Sequence, residues 1–355
     1  MLLPEDDYPL HQSVLPLAHV MNGHPNAYDR FFFNGFDESF YFAVALGLYP
    51  NRGVIDGAFS VVIGDRQYSV FASEALAGRP TSVGPIRVEI VEPLRVNRVS
   101  IDAPEQGLRA ELLYRQLTAT IEEPRQTMHD EERLFMDVTR ATQLGTWSGW
   151  VETPEGRREL RDLTGTKDRS WGVRPLGEPL PGAPSKRAAQ LCFFWAPLRL
   201  GDEGVHYMTF RDSNGDVLSE SVGRLPRAGS GDADHVGGDL ELEWQDGTRW
   251  AASATLRVAQ ETFTLTPLLR FHMRGVGYAH PTFAHGRWHG GAVVDGETIV
   301  ISEVAPDDYF SVHVQQVVHV QGDRRRGIGV LEQLVVGPYQ PAGLAGLLDG
   351  YGSPA

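Results

Sequence analysis

The chain has 355 residues, of which 41% are hydrophobic and 22% are charged, and its formal net charge is −14. This composition is typical of a soluble globular protein, and the length exceeds what one core usually supports, so we expect two domains. The negative charge argues against nucleic acid and anionic membrane as partners, the apolar runs are too short for a transmembrane helix, and the N-terminus lacks a signal-peptide pattern.

The first half reads as a succession of short strands. Aromatic side chains, which favour strands, crowd the first two, predicted at 29–36 and 39–49. The turn Gly64-Asp65 lies between two alternating runs and predicts a hairpin over 57–72. Further strands are predicted at 86–91, 96–101, 108–121, 132–138 and 142–151.

The second half restarts the same pattern after residues 176–188, where three prolines and two glycines predict a linker. We therefore divide the chain into domains 1–175 and 176–355. The run 213–216 predicts a hairpin turn, and residues 340–348 a short helix. Strands are predicted at 189–200, 205–210, 217–222, 240–244, 249–258, 263–273, 291–294, 298–304, 309–320 and 327–335. The expected class is all-β, as two antiparallel barrels or sandwiches.

The chain has one cysteine, Cys192, in an apolar stretch of the second half. An intramolecular disulfide is therefore impossible, and a cytoplasmic location is expected. Its apolar neighbours predict a buried, inert thiol rather than a reactive one.

The nine residues from Lys167 to Pro175 lie near the midpoint and combine an acid, two arginines and an indole. Alternate residues of a strand share a face, so Asp168 and Ser170 should point one way and Arg169 and Trp171 the other. An aspartate in an apolar cavity would have a raised pKa and could donate or accept a proton. The alternative is an Asp–Arg pair that braces the junction, with Trp171 in the core.

Three motifs carry a family resemblance: Asp29-Arg-Phe-Phe-Phe-Asn34, Tyr49-Pro-Asn-Arg52 and Lys167-Asp-Arg-Ser-Trp-Gly-Val-Arg174. They resemble a largely uncharacterised bacterial family that is distantly similar to the lipocalin-like group of AttH proteins, bacterial carotenoid hydratases and fungal Diels–Alderases. The resemblance implies two lipocalin-like halves with a ligand cavity, and cofactor-free chemistry on a large apolar molecule. It transfers no catalytic residue to this chain.

Polar residues also open the first aromatic strand. Asp29, Arg30 and Asn34 could line the mouth of a pocket and contact a ligand. A buried pair that ties the two halves together is the competing interpretation.

Histidines cluster between residues 272 and 289. No cysteine accompanies them and no His-Glu-x-x-His motif occurs, so no metal site is predicted. Because imidazole titrates near neutral pH, His272 or His280 could transfer a proton, and His285 and Tyr278 could contact a ligand. The alternative is a set of loop histidines without chemistry.

Aromatic density is the main argument for a pocket in the second half. These residues could line a cavity for a flat apolar ligand, with Trp195 as a ligand contact, or could simply fill a core. The set comprises Phe193, Phe194, Trp195, Tyr207, Phe210, Phe271 and Tyr278.

Motifs for hydrolases, kinases and nicotinamide enzymes are absent from the sequence. The favoured hypothesis is a cofactor-free lyase, hydratase or isomerase that acts on an isoprenoid-, steroid- or polyketide-like molecule by acid–base catalysis. A non-catalytic carrier of a lipidic ligand is the alternative, and a purely structural or interaction protein with filled halves is the third. The sequence leaves the oligomeric state open, a homodimer included.

Overall fold

The computed structural model describes residues 3–177 and 189–352, and most of its elements are β-strands, which confirms the predicted all-β class. None of the helices in these two ranges has the length and apolar character needed to cross a membrane. The helix predicted at 340–348 is wrong, because the helical turn ends where Gly343 takes a left-handed conformation (φ 66°). The 3-10 segments are Pro4–Asp7, Pro50–Arg52, Pro104–Gln106, Met273–Val276, Ile301–Glu303 and Gln340–Ala342.

The described strands fall before and after the chain midpoint. Those before it are β1 (Ala27–Asp37), β2 (Phe40–Tyr49), β3 (Val54–Ile63), β4 (Arg66–Ala75), β5 (Ser82–Val83), β6 (Ile86–Glu92), β7 (Val96–Ala103), β8 (Leu108–Gln116), β9 (Ile121–Glu122), β10 (Gln126–Asp130), β11 (Arg133–Thr153) and β12 (Gly156–Val173). Those after it are β13 (Leu191–Trp195), β14 (Leu198–Leu200), β15 (Glu203–Arg211), β16 (Val217–Leu225), β17 (Asp234–His235), β18 (Gly238–Trp244), β19 (Ala251–Val258), β20 (Glu261–His272), β21 (Val293–Val300), β22 (Val314–Gly322) and β23 (Arg326–Val336).

Two antiparallel sheets result. The first has the order β21-β4-β3-β2-β1-β12-β11-β8-β7-β6-β5, with β9 and β10 paired to β11. The second has the order β17-β16-β15-β13-β23-β22-β20-β19-β18, with β14 paired to β15 and β23. In the first sheet β5, at one end of the order, contacts β3 and β4 near the other end, so the sheet curves around on itself.

Most predicted strands and both predicted hairpin turns, at 64–65 and 213–216, are confirmed. The strands predicted at 132–138 and 142–151 are one continuous strand, β11. The strand predicted at 309–320 begins only at Val314, because Asp308 accepts hydrogen bonds from Ser311 and holds a turn there. Most of the predicted linker, residues 178–188, lies outside the described ranges.

One strand of the second half belongs to the first sheet. β21 pairs with β4 from Val293–Ser73 to Val300–Arg66. The chain leaves the second sheet after β20, crosses β3 and β4, and returns at β22. The division at residue 175 stays a prediction, and any boundary must accommodate this crossing.

Buried apolar residues form three main clusters. One lies inside the curved first sheet and includes Phe33, Phe42 and Trp147, and another lies within the second sheet around Phe194 and Leu256. The third draws on both sheets. Because side chains alternate along a strand, β1 contributes Phe31 and Phe33 to the first cluster and Phe32 to the third.

Three glycines lie side by side across the centre of the first sheet. Gly165 on β12 is opposite both Gly35 on β1 and Gly145 on β11. A methyl group at Gly165 would collide with the backbone oxygen of Asn34 and with Nε1 of Trp147, which donates a 2.8 Å hydrogen bond to that oxygen. The glycine row therefore makes the space that the Trp147 indole occupies.

Gly165→Ala is expected to destabilise the fold by at least about 2 kcal/mol, because neither the backbone oxygen nor the fully buried indole can move aside. The free energy of unfolding from urea titration measures the loss. Gly231→Ala is the matched control, since a methyl group there meets nothing closer than Pro226 at 3.8 Å. Equal stability of the two variants would contradict this account of the glycine row.

Candidate functional site

The third cluster contains polar groups on two facing walls. The first wall is the face of β1, β12 and β11 that carries Arg30, Phe32, Asp168 and Arg140. The second wall is the face of β13, β22 and β23 that carries Trp195. The rings of Phe32 and Trp195 meet edge to face across the gap, with centroids 6.5 Å apart. We call the space around these two rings the inter-sheet site.

Asp168 is the central carboxylate of the first wall. Its Oδ2 lies 3.4 Å from Nε of Arg140, and its Oδ1 is buried without a hydrogen-bond partner. Burial raises the pKa of Asp168 to about 7, and the pull of the Arg140 guanidinium offsets only part of that rise. Near neutral pH this carboxyl group is therefore divided between its acid and its base form.

Arg140 joins Asp168 to a second buried acid, Glu123. Nη1 of Arg140 lies 3.0 Å from Oε2 of Glu123, and Nε2 of His206, from the second sheet, lies 3.3 Å from Oε1. Burial alone would raise the pKa of Glu123, but Arg140 and His206 outweigh burial and hold it below its usual value. Glu123 is thus the charged partner of Arg140, and Asp168 is the acid that can change its charge.

The second wall carries a buried polar chain beside Trp195. Glu332, opposite Trp195 in the register of β13 and β23, accepts hydrogen bonds from Nε2 of His313 (2.7 Å) and Nε2 of Gln315 (2.6 Å). The amide oxygen of Gln315 in turn accepts from the hydroxyl of Tyr41 on the first sheet (2.5 Å). Both oxygens of Glu332 are therefore occupied, while Nε1 of Trp195 has no partner.

Two arginines stack on tyrosines at one end of the site. The guanidinium carbon of Arg30 lies 4.7 Å from the ring centre of Tyr278, and that of Arg174 lies 5.3 Å from it and 4.8 Å from Tyr28. Arg30 donates to the backbone oxygen of Val276 (3.2 Å), whereas its Nε is buried without a partner. Predicted residues Arg30 and Tyr278 are thus in direct contact.

His285 is held in one neutral tautomer by hydrogen bonds at both of its ring nitrogens. Its Nε2 donates to the oxygen of Val276 (2.8 Å), so its Nδ1 accepts from Arg174 (3.1 Å). Burial, assisted by Arg30 and Arg174, holds the pKa of His285 well below its usual value. His285 therefore orients Arg174 and is not charged at neutral pH.

A further acid, the largely buried Asp56, lies close by. It accepts from the backbone N–H of Gly286 (2.7 Å) and the hydroxyl of Tyr49 (3.1 Å), and burial raises its pKa to about 6. Beside it the structure encloses a cavity of about 10 Å³. This volume is at the lower limit for one water molecule, far below the several hundred Å³ of a small-molecule pocket. A larger open depression, about 340 Å³, is lined by Arg52, Val54, Gly286 and Trp288.

Three predicted ligand contacts lie on the opposite face of β1 and β12. Arg169 pairs with Asp29 (2.6 Å) and stacks on Phe31 at 3.9 Å. Trp171 is 43% exposed, so its alternative interpretation as a core residue is wrong. The predicted alternation of faces is correct, and the strand order explains it, because Asp168 points to the second sheet and its neighbours point away.

His272 and His280, the two predicted catalytic histidines, lie outside the inter-sheet site. Nδ1 of His272 donates to the oxygen of Ser311 (2.8 Å), and burial lowers the pKa of His272 to about 4. Nδ1 of His280 accepts from two backbone N–H groups, and its Nε2 lies 3.5 Å from Glu297. In the described ranges neither histidine has a polar contact with Asp168, so their catalytic role stays a prediction.

Five residues of the site were not predicted from the sequence: Asp56, Glu123, Arg140, Glu332 and His313. A signal existed for two of them, since Asp56 and Glu332 are lone acids within apolar strand runs, VIDGAFSVVI and VLEQLVV. Arg140 and Glu123 come together only through strand pairing, so no local pattern in the sequence points to either of them. Across the two described ranges no group of three or more His, Cys, Asp or Glu side chains is arranged to hold a metal ion.

The fold and this site define the class: an all-β, lipocalin-like protein of two antiparallel sheets with buried ionisable groups between them. The structure is similar to a provisionally named AttH protein from Nitrosomonas europaea, with a TM-score of 0.56 and 11% identity over 86% of this chain and 92% of that chain. At this identity the similarity shows a shared fold, and it confirms the predicted resemblance to the AttH group.

The chain belongs to the family of unknown function DUF8625, whose model matches residues 2–345. Two further structures resemble it at a TM-score of 0.48. Kievitone hydratase from Nectria haematococca is 9% identical over 91% of this chain and 94% of that chain, and CghA with Sch210972 is 12% identical over 88% and 89%. No curated protein sequence matches this chain.

Proposed function

We propose that this protein is a cofactor-free lyase, hydratase or isomerase that acts on an apolar small molecule in the inter-sheet site. The observation that carries the proposal is Asp168. It is a largely buried acid, with a side chain 16% exposed, a pKa of about 7, one partnerless oxygen and an arginine at its other oxygen, and it faces aromatic rings. A general acid is most effective when its pKa lies near the working pH.

The proposed step is protonation of a carbon–carbon double bond. The O–H bond of Asp168 breaks as a C–H bond forms, and positive charge develops on the adjacent carbon. The rings of Phe32, Trp195 and Phe193 face this position and favour a cation. Arg140 stabilises the carboxylate that is left. Water addition, or loss of a different proton, then returns a proton to Asp168 and gives a hydrated or isomerised product.

Substrate entry requires a change of conformation, because the rings of Phe32 and Trp195 already meet across the inter-sheet site and the cavity beside Asp56 holds at most one water. The segment 277–292 closes this side through the Gly286–Asp56 and His285–Val276 hydrogen bonds. Neutral Asp56 accepts the Gly286 hydrogen bond less strongly than its carboxylate does. Opening should therefore be easier below the pKa of Asp56, which is about 6.

Incubation in heavy water tests the proposal. Purified protein is mixed with a panel of isoprenoid, steroid and polyketide alkenes, and the products are analysed by mass spectrometry. Incorporation of deuterium at carbon supports proton transfer by the protein. Native mass spectrometry that finds a bound apolar molecule, without conversion of any alkene, would favour the carrier instead.

The tight packing favours a second candidate, an interaction protein with filled halves. In that case neither a co-purified ligand nor deuterium incorporation should be found. The same two measurements therefore separate the enzyme, the carrier and the filled protein.

A further inference from the structure

Two arginines of the inter-sheet site, the buried Arg30 and the partly exposed Arg174, lack a carboxylate partner among the described residues. Of its three arginines, Arg140 pairs with Glu123 and Asp168. Within the described ranges Arg30 and Arg174 form no ion pair, although Arg30 is only 2% exposed. Burying an unpaired guanidinium is costly, and buried arginines are normally paired. The site thus holds positive charge without a partner.

The nearby acids do not neutralise it. Asp56 is held by a tyrosine hydroxyl and a backbone N–H, and Glu332 by His313 and Gln315. Burial raises the pKa of Asp56 to about 6 and that of Asp168 to about 7, so each is neutral for part of the time near neutral pH. An anion brought by a ligand would supply the missing charge.

Three partnerless polar atoms belong to side chains on the two walls of the inter-sheet site. Arg30, Phe32 and Asp168 share one face, because Phe32 is the register partner of Asp168 and Arg30 is two residues along β1. Trp195 approaches Phe32 from the opposite sheet. Nε of Arg30, Nε1 of Trp195 and Oδ1 of Asp168 are all buried and without hydrogen-bond partners. Two are N–H donors from opposite walls, and buried donors of this kind are rarely left unused.

From this arrangement we propose a head-group subsite in which Arg30 and Trp195 donate to a singly charged oxyanion, a carboxylate or an enolate, at one end of an apolar substrate. Arg174, stacked on Tyr278, adds positive charge behind it. The inference rests on the proposed function and narrows its substrate class. A pure hydrocarbon leaves both donors unused, whereas an apolar acid uses both and places its chain among the aromatic rings.

A fluorescent polyene acid, cis-parinaric acid, and its methyl ester form a matched pair of probes. They share one hydrocarbon chain and differ only in the charged head, and binding is followed by probe fluorescence. The wild-type protein is expected to bind the acid at least about tenfold more tightly than the ester. Arg30→Met should remove this preference and leave ester binding unchanged.

Trp195→Phe keeps an aromatic ring but removes the N–H donor, and it should reduce the preference by a smaller factor. This second variant keeps the test decisive if Arg30→Met fails to fold, which circular dichroism would show. Arg157→Met is the control, because Arg157 also stacks on an aromatic ring, 4.0 Å from the centre of Trp150, but lies outside the site. It should leave both affinities unchanged.

If the wild-type protein binds acid and ester equally well, the head-group subsite is overturned. The same holds if both variants keep the preference for the acid. In either case binding of the probes still supports an apolar site. Failure of both probes to bind overturns the subsite and the proposed function together. The two failures are thus distinguishable in one titration series.

Discussion

Asp168→Asn is expected to lower turnover by at least about 100-fold, because the amide can neither donate the acidic proton nor take it back. The measurement is the rate of deuterium incorporation into the substrate that the heavy-water panel identifies. Asparagine has nearly the same shape as aspartate, and Arg140 keeps Glu123 as its partner at 3.0 Å. The variant should therefore fold and retain ligand binding.

The same variant should also change how the free energy of unfolding depends on pH. Burial raises the pKa of Asp168 from 3.8 to about 7, so between these values the folded state keeps a proton that the unfolded state has lost. The stability that Asp168 contributes is thus lost as pH rises towards 7. The free energy of unfolding of Asp168→Asn minus that of the wild type should therefore increase as the pH rises from 4 to 8. The increase should be on the order of 4 kcal/mol at most.

Taking the difference in free energy of unfolding between the wild type and Asp168→Asn removes the contributions of the other titrating groups. Burial lowers the pKa values of His272 and His285, so these groups add stability as pH rises, with the opposite sign. They are present in both proteins and cancel. Asp162→Asn is the matched control, since Asp162 lies on the same strand with its side chain 73% exposed. A large loss of stability at pH 8, with turnover intact, would show that Asp168 is a structural brace.

Arg140→Met is expected to reduce the free energy of unfolding by about 3 to 5 kcal/mol. The Arg140 side chain is 13% exposed and lies between Glu123 and Asp168, so its removal leaves two buried carboxyl groups without their shared cation. Urea unfolding followed by tryptophan fluorescence measures the loss. A part of it should return in the double variant Glu123→Gln/Arg140→Met, because the amide carries no charge.

Arg125→Met controls for the loss of an arginine on this part of the sheet. Arg125 pairs with Asp137 at 2.6 Å, but its side chain is 69% exposed, and we expect a change below about 1 kcal/mol. If Arg140→Met were as mild as this control, the pairing of Arg140 with Glu123 and Asp168 would contribute little to the stability of the fold.

Local patterns in the sequence predicted much of this fold. Alternation and turn residues defined β3, β4, β15 and β16 with their hairpins, because these depend on neighbours in the chain. The same alternation correctly separated Asp168 from Arg169. It could not predict that Trp171 would be exposed, since which face of β12 meets the second sheet depends on distant strands.

The rest of the site depends on contacts across long stretches of chain. Arg140 meets Asp168 through the pairing of β11 and β12, and Trp195 meets Phe32 only because the two sheets pack together. Partners separated by dozens of residues leave no periodic trace in a single sequence. The candidate chosen from local composition, Asp168, was brought into the site, whereas its partners became visible only with the fold.

Strand β21 comes from the second half but pairs in the first sheet, and this matters for any attempt to produce the halves as separate fragments. A fragment ending at residue 175 would lack the neighbour of β4, and its eight paired positions from Arg66 to Ser73 would become an open edge. Such edges recruit strands from other molecules. That fragment should self-associate in solution, and a synthetic peptide spanning Val293–Val300 should act as a cap that keeps it monomeric.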